Sequence, residues 1–304
     1  MLRLAVKGFA AAEVTSEIMH RILADQPDIC TVREDGRAQA SAAPRWHLDR
    51  IDQVAIPLDR EAWDQPYNGS GVDVYVVDTG IDPTHVEFQD GQATNIFAYN
   101  GSGYELSIKP SSMGPTYDID GDGHGSHCAG LIGGATVGVA PGASLFGLKV
   151  LDDYGNGYFS DVVAGLEHVV QHHQARVVTQ PGRRAVVSMS LGGWCGDPTT
   201  CAADEAVVTV GALVLGHHIP VVVAAGNDQE DACSFTPAAS VHAITVGSSD
   251  RHDRTSGFTN YGRCVDIFAP GSNITSVEGG RASGADQTTE GSEPSAGYLA
   301  LSGE

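Results

Sequence analysis

Val74-Tyr-Val-Val-Asp-Thr-Gly-Ile-Asp82 is a short β-branched run that breaks at a carboxylate followed by a glycine turn. Near-continuous apolar residues mark a strand buried on both faces, and such strands belong to parallel sheets covered by helices. Asp78 therefore falls where the chain leaves the sheet, at the carboxyl end of a strand. Taken alone, an aspartate there caps a turn; opposite a histidine it can fix an imidazole.

Working outward, similar runs recur at 144–150, 185–190, 220–225, 243–247 and 265–269, and helical spacing of apolar residues appears at 161–172 and 203–215. This alternation predicts an α/β fold, a mostly parallel sheet with helices on both faces. Ligands of such sheets bind at the carboxyl ends of the strands. Towards the amino terminus, 14–25 reads as a helix and 29–35 as a strand, before the patternless Gly36-Arg-Ala-Gln-Ala-Ser-Ala-Ala-Pro44 linker. A boundary near residue 40 separates residues 1–40 from a large domain over 41–304. The stretch 276–296, rich in Gly, Ser, Thr and Glu, reads as an exposed loop.

The net charge of −21 opposes nucleic acid and anionic membrane surfaces as partners. No apolar run reaches the roughly 20 residues of a membrane span. Among six cysteines, Cys195 and Cys201 are close enough in a Gly/Pro/Thr-rich loop for a local disulfide, which is preferred over free thiols.

Two further stretches place reactive groups at strand and helix ends. Asp122-Gly-His-Gly-Ser-His-Cys-Ala-Gly130 sets His124 between glycines that permit close backbone approach. His124 and His127 also have the spacing of a metal pair, without a convincing third ligand. Pro220-Val-Val-Val-Ala-Ala-Gly-Asn227 runs from a buried strand into an amide donor suited to an oxyanion. Asp118-Ile-Asp-Gly-Asp-Gly opens like a calcium-binding EF-hand loop, but its twelfth position is Ala129 where a glutamate is needed. Asn68, Asn100 and Asn273 head glycosylation triplets.

Asp-Thr-Gly, His-Gly-Ser-His-Cys-Ala-Gly and Ala-Ala-Gly-Asn, in this order, resemble the subtilisin family of serine proteases, and its proteinase K branch most closely. Trp46-His-Leu-Asp-Arg-Ile-Asp-Gln53, Ser190-Leu-Gly-Gly193, Phe258-Thr-Asn-Tyr-Gly262 and Asp266-Ile-Phe-Ala-Pro-Gly271 extend the resemblance along the chain, the last two as late strands. The resemblance implies peptide-bond hydrolysis, with Asp78 orienting His124, His124 as general base and acid, and Asn227 in the oxyanion hole. It implies that Gly155, Asn156 and Gly157 face Ser190, Leu191 and Gly192 across an extended polypeptide substrate, with Ala225 and Gly226 in the first specificity pocket. It implies a Cys233–Cys264 disulfide, Cys128 as a thiol beside the histidine and Cys30 unpaired. Calcium is the structural ion of the family; Asp49, Asp52, Gln53 and Asp59 match one site, and Asp266 with the carbonyls of Val241 and Ala243 another.

Residues 8–35 resemble the second half of the family's inhibitory prosegment, so the chain is expected to be a secreted, monomeric zymogen that its own prosegment restrains. The family's nucleophile lies in Ser-Gly-Thr-Ser-Met-Ala, and this chain reads Leu301-Ser-Gly-Glu304 at the corresponding point. Ser302 precedes the nucleophile position. The 304 residues are thus expected to lack the nucleophile and the helix it opens, and to be inactive as given. The alternative is a non-catalytic protein that holds peptides in the cleft.

Overall fold

The structure is a computed structural model and describes residues 5–6, 9–10, 45–59, 67–89, 91–99, 105–107, 120–279, 298–301 and 303. The chain divides into two compact units, Met1–Ala43 and Pro44–Glu304. In the first, β1 (Ala5–Val6) pairs antiparallel with β2 (Phe9–Ala10). The helix and strand expected over 14–35, and Cys30, lie outside the described residues.

The second unit is organised by β3 (Val72–Asp78), which has parallel neighbours on both sides. Alternation along it feeds two cores at once, since successive side chains leave a strand on opposite faces. Tyr75 and Val77 pack with Leu166, Val169 and Leu213 from the helices Phe159–Thr179 and Glu205–His217. Val74 and Val76 pack on the other face with Ala129 of the helix His124–Gly133.

Around β3 stand β4 (Ala93–Tyr99), β5 (Glu105–Ser107), β6 (Ser144–Lys149), β7 (Arg184–Met189), β9 (Val221–Ala224), β11 (Ile244–Ser249) and β12 (Ile267–Pro270). Their order is β12-β11-β9-β7-β3-β6-β4-β5. Every pairing is parallel except β4 with β5. The predicted parallel sheet with helices on both faces is the fold observed; β4 is a strand the sequence pattern did not mark.

Two small antiparallel pairs complete the described structure: β8 (Gly193–Trp194) with β10 (Phe235–Thr236), and β13 (Ile274–Val277) with β14 (Tyr298–Leu301). Ser276 and Val277, expected at the start of an exposed loop, are instead buried in β13, where Val277 packs against the His124–Gly133 helix layer. Residues 258–262, expected as a strand, form a loop. Disulfides join Cys195 to Cys201 and Cys233 to Cys264, with Cα atoms 5.2 and 5.3 Å apart, and Cys128 is a free thiol. Among the described residues no helix is long and apolar enough to cross a membrane.

Candidate active site

β3 delivers Asp78 to the carboxyl edge of the sheet with its side chain shut off from solvent. His124 is the first residue of its helix, and its Nδ1 lies 2.8 and 3.0 Å from the two carboxylate oxygens of Asp78. Nδ1 is engaged, so Nε2 is the nitrogen left for the cleft. Burial opposes charging the ring, but the hydrogen bond and charge of Asp78, with the charges of Asp122 and Asp120, outweigh it and push the His124 pKa up to about 9.

Two glycines make this approach possible. Gly125 sits so close to the turn after β3 that an added Cβ would lie 2.1 Å from the carbonyl oxygen of Gly80. Gly123, with φ near 103°, turns the chain into the helix without a side chain of its own to cap it. Asp120 supplies the cap from outside. Its Oδ1 accepts from the Gly123 N–H at 2.8 Å and its Oδ2 from the Ser126 N–H at 2.7 Å, in a fully buried position. The sequence reading met Asp120 only within the EF-hand-like stretch that lacks its glutamate; its spacing before the helix was the available signal.

Asn227 follows β9 on an exposed turn that opens at Gly226, where φ is 107°. Buried Asn260 clamps that turn: its Nδ2 donates to the Ala225 carbonyl at 2.9 Å, and its Oδ1 accepts from the N–H groups of Asp228 and Glu230 at 2.9 and 3.0 Å. A Cβ on Gly226 would strike Asn260 Nδ2 at 2.4 Å. Asn260 was missed because it sits in the stretch read as a late strand, and nothing local distinguishes a clamping amide from a turn residue.

A cavity of about 740 Å³ is lined by His124, Cys128, Ser190, Leu191, Gly192, Ala225, Gly226 and Asn227 among others. An adjoining cavity of about 470 Å³ shares His124 and Ser190 to Gly192, and adds Gly155, Asn156 and Gly157. All the candidate substrate-binding residues thus border one continuous cleft, with Asp78 buried behind the histidine. The Gly155–Gly157 side is braced by Asp152, whose Oδ1 accepts from the N–H groups of Tyr154 and Asn156 at 2.9 Å each.

His127 is not part of a metal pair: its Nε2 lies 3.1 Å from the Ile274 carbonyl, so it ties the helix to β13. Among the described residues, Asp78, His124 and Cys128 alone form a His, Cys or acidic trio with ligand atoms within 4.8 Å of one another. Burial and the charge of Asp78 raise the Cys128 thiol pKa well above its ordinary value, against the pull of a hydrogen bond with Ser190.

The residues expected to hold calcium do not line either cavity. Gln53 Oε1 accepts from the Asp59 N–H at 3.2 Å, and Gln53 Nε2 donates to Pro57 and Ala55 carbonyls. Partial desolvation, then the charges of Asp59 and Asp49, hold the Asp52 carboxyl above its usual range. Asp266 Oδ2 accepts from the Thr245 N–H at 2.9 Å, beside buried Ala243 and exposed Val241.

Fold and site together define a three-layer α/β protein whose strand ends set an acid–base pair and an amide donor around one groove. A model of the subtilase family matches residues 69–303. The chain is 39% identical over 277 residues to alkaline serine protease ver112 of Corniculantispora psalliotae, covering 90% of this chain and 65% of that protein. It is 41% identical over 276 residues to the extracellular serine proteinase of a Thermus species, covering 90% of this chain and 60% of the relative. The crystal structure of a cold adapted subtilisin-like serine proteinase matches with a TM-score of 0.67 at 34% identity, over 86% of this chain and 80% of that one. The chain belongs to the subtilase family. It spans somewhat under two thirds of the length of these two curated relatives.

Proposed function

We propose that the protein is a serine endopeptidase of the subtilisin type. The observation that carries the reading is the two-oxygen contact of buried Asp78 with His124 Nδ1, in a cleft that Asn227 also lines. Asp78 holds the proton on Nδ1, which leaves the Nε2 lone pair to take the proton of a serine hydroxyl and return it to the leaving amine. The Asn227 amide donates to the oxyanion that forms as the carbonyl is attacked. An extended substrate lies between Gly155–Gly157 and Ser190–Gly192 as an added strand, with main-chain hydrogen bonds for affinity. The small walls of Ala225 and Gly226 favour an apolar or aromatic side chain beside the scissile bond.

The nucleophile in this reading is the serine of the family motif whose opening Ser-Gly matches Ser302-Gly303. Residues 1–40 act in this reading as part of an inhibitory prosegment, and the domain works as a secreted monomer, for which two disulfides are suited. Calcium serves as a structural ion held through Asp49, Asp52, Gln53 and Asp59, with Asp266 and the carbonyls of Val241 and Ala243 as a second site. The raised pKa of Asp52, from desolvation first and then the neighbouring charges of Asp59 and Asp49, is consistent with the first.

Casein hydrolysis and labelling by a serine-directed fluorophosphonate test the reading. A translation product carrying the motif's serine is expected to hydrolyse and to label, and to lose hydrolysis on His124→Ala. Residues 1–304 alone are expected to take no label. Label on a serine within them, or a serine-bearing product that binds peptides without hydrolysis, overturns the assignment.

A further inference from the structure

The cleft carries a charge that the proposed chemistry leaves unused. Neither cavity has a lysine or arginine among its described lining residues, whereas each has one aspartate, Asp228 in the larger and Asp122 in the smaller. Asp122 is exposed and lines its cavity. Its Oδ1 accepts from the His124 backbone N–H at 3.1 Å, and its Oδ2 lies 3.7 Å from where a Cβ on Gly155 would stand. It therefore bridges the gap between the histidine and the loop on which a substrate strand would lie.

Among the described residues no lysine or arginine pairs with it. The nearby Asp153 is paired with Lys149 at 2.7 Å. Its charge reaches the imidazole, where it is one of those that raise the His124 pKa. The remaining walls of the cavity include Leu151, Tyr158, Phe159 and Val162. An apolar wall under a carboxylate rim suits a side chain with an aliphatic stem and a cationic head. Leucine would fill the wall and leave the rim unmet, and glutamate would meet like charge.

We propose that the smaller cavity selects a lysine or arginine side chain of an extended peptide, with Asp122 as the specificity-determining residue. The inference rests on the reading of the cleft as a peptide groove. It makes basic segments, rather than uniformly apolar ones, the preferred targets of this acidic protein.

Surface plasmon resonance with extended peptides of about eight residues tests it, each peptide having its central bond reduced to CH2–NH so that it survives. Residues on the amino-terminal side of that bond are set in turn to Lys, Leu or Glu. At one position Lys is expected to bind about fivefold tighter than Leu at low salt, with Glu weakest. The preference should shrink towards parity in about 0.5 M NaCl. It should vanish in Asp122→Asn, whose side-chain oxygen still accepts from the His124 N–H. Ratios between peptides on one preparation are insensitive to the fraction folded, and the salt series needs no variant. Peptides that bind with no charge preference, or a preference that survives Asp122→Asn, sink the inference alone. If no peptide binds, the groove reading fails and takes the inference with it.

Discussion

Thr79 Oγ1 donates to Asp120 Oδ1 at 2.7 Å and accepts from the Gly125 N–H at 2.9 Å, so one hydroxyl joins the strand that ends on Asp78 to the helix that begins at His124. The Asp78–His124 pair, catalytic in the proposed function, is held at its distance by this buried link as much as by its own hydrogen bond. Asp120→Ala removes the acceptor for two helix N–H groups and the Thr79 hydroxyl. It is expected to cost about 3 kcal/mol of stability and to lower kcat more than it raises KM. Denaturant titration and steady-state kinetics check both, and wild-type kcat in the variant contradicts the positioning role.

Asn260 plays the equivalent part for Asn227, the proposed oxyanion donor. Asn260→Ala frees the turn that carries Asn227, leaving the N–H groups of Asp228 and Glu230 without their side-chain acceptor. A loss of kcat of roughly 100-fold is expected, comparable to removing an oxyanion donor outright. Asn260→Asp, which keeps the acceptor for those N–H groups, should lose less.

Gly125→Ala tests the close approach of helix and turn. Its Cβ has no space against the Gly80 carbonyl, and backbone on both sides is anchored. The variant is expected to be produced largely insoluble, or with His124 displaced and its titration moved back towards an ordinary imidazole. A soluble variant with unchanged titration would contradict the packing.

Protonation of His124 links pH to stability and to activity with opposite signs. Its folded pKa of about 9 lies above the 6.5 of an unperturbed histidine. The stabilisation it brings is therefore full below about 6.5 and is lost as pH rises through about 9. The proposed general-base role needs the neutral ring, so activity is expected to climb over the same interval. Urea midpoints and kcat/KM measured from pH 6 to about 10 should move in opposite directions, and Asp78→Asn should flatten the first trend.

Calcium should raise thermal stability by relieving the crowding at Asp52. Removing it with a chelator is expected to lower Tm by about 5 °C, and Asp52→Asn to diminish that difference. A Tm indifferent to chelation in the wild type would set the calcium reading aside.

What the amino-acid pattern revealed follows from range. The β-branched run ending at Asp78 declares itself because a doubly buried strand has little choice of side chain. Cys195 and Cys201 are legible because their loop is short. Asp120 and Asn260 are not legible in this way: each acts through backbone amides of other turns, and a buried polar residue of that kind has no period and no neighbour to betray it. The β4 strand escaped because its Thr94 and Asn95 interrupt the apolar run, Asn95 being turned inwards to bond both backbone groups of Ile81. The end of β13 escaped because a small polar residue, Ser276, can be fully buried when its hydroxyl reaches the His127 carbonyl.

The central place of β3 also sets when the site comes into being. Its two parallel partners, β6 and β7, are brought from far along the chain, and parallel pairings of that kind close late and slowly because the loops between them must first be drawn in. Asp78 and His124 cannot meet before the strand beneath them is flanked. If the proposed hydrolysis holds, a nascent copy is harmless to its unfolded siblings, because the Asp78–His124 contact arrives only together with the compactness that resists cleavage.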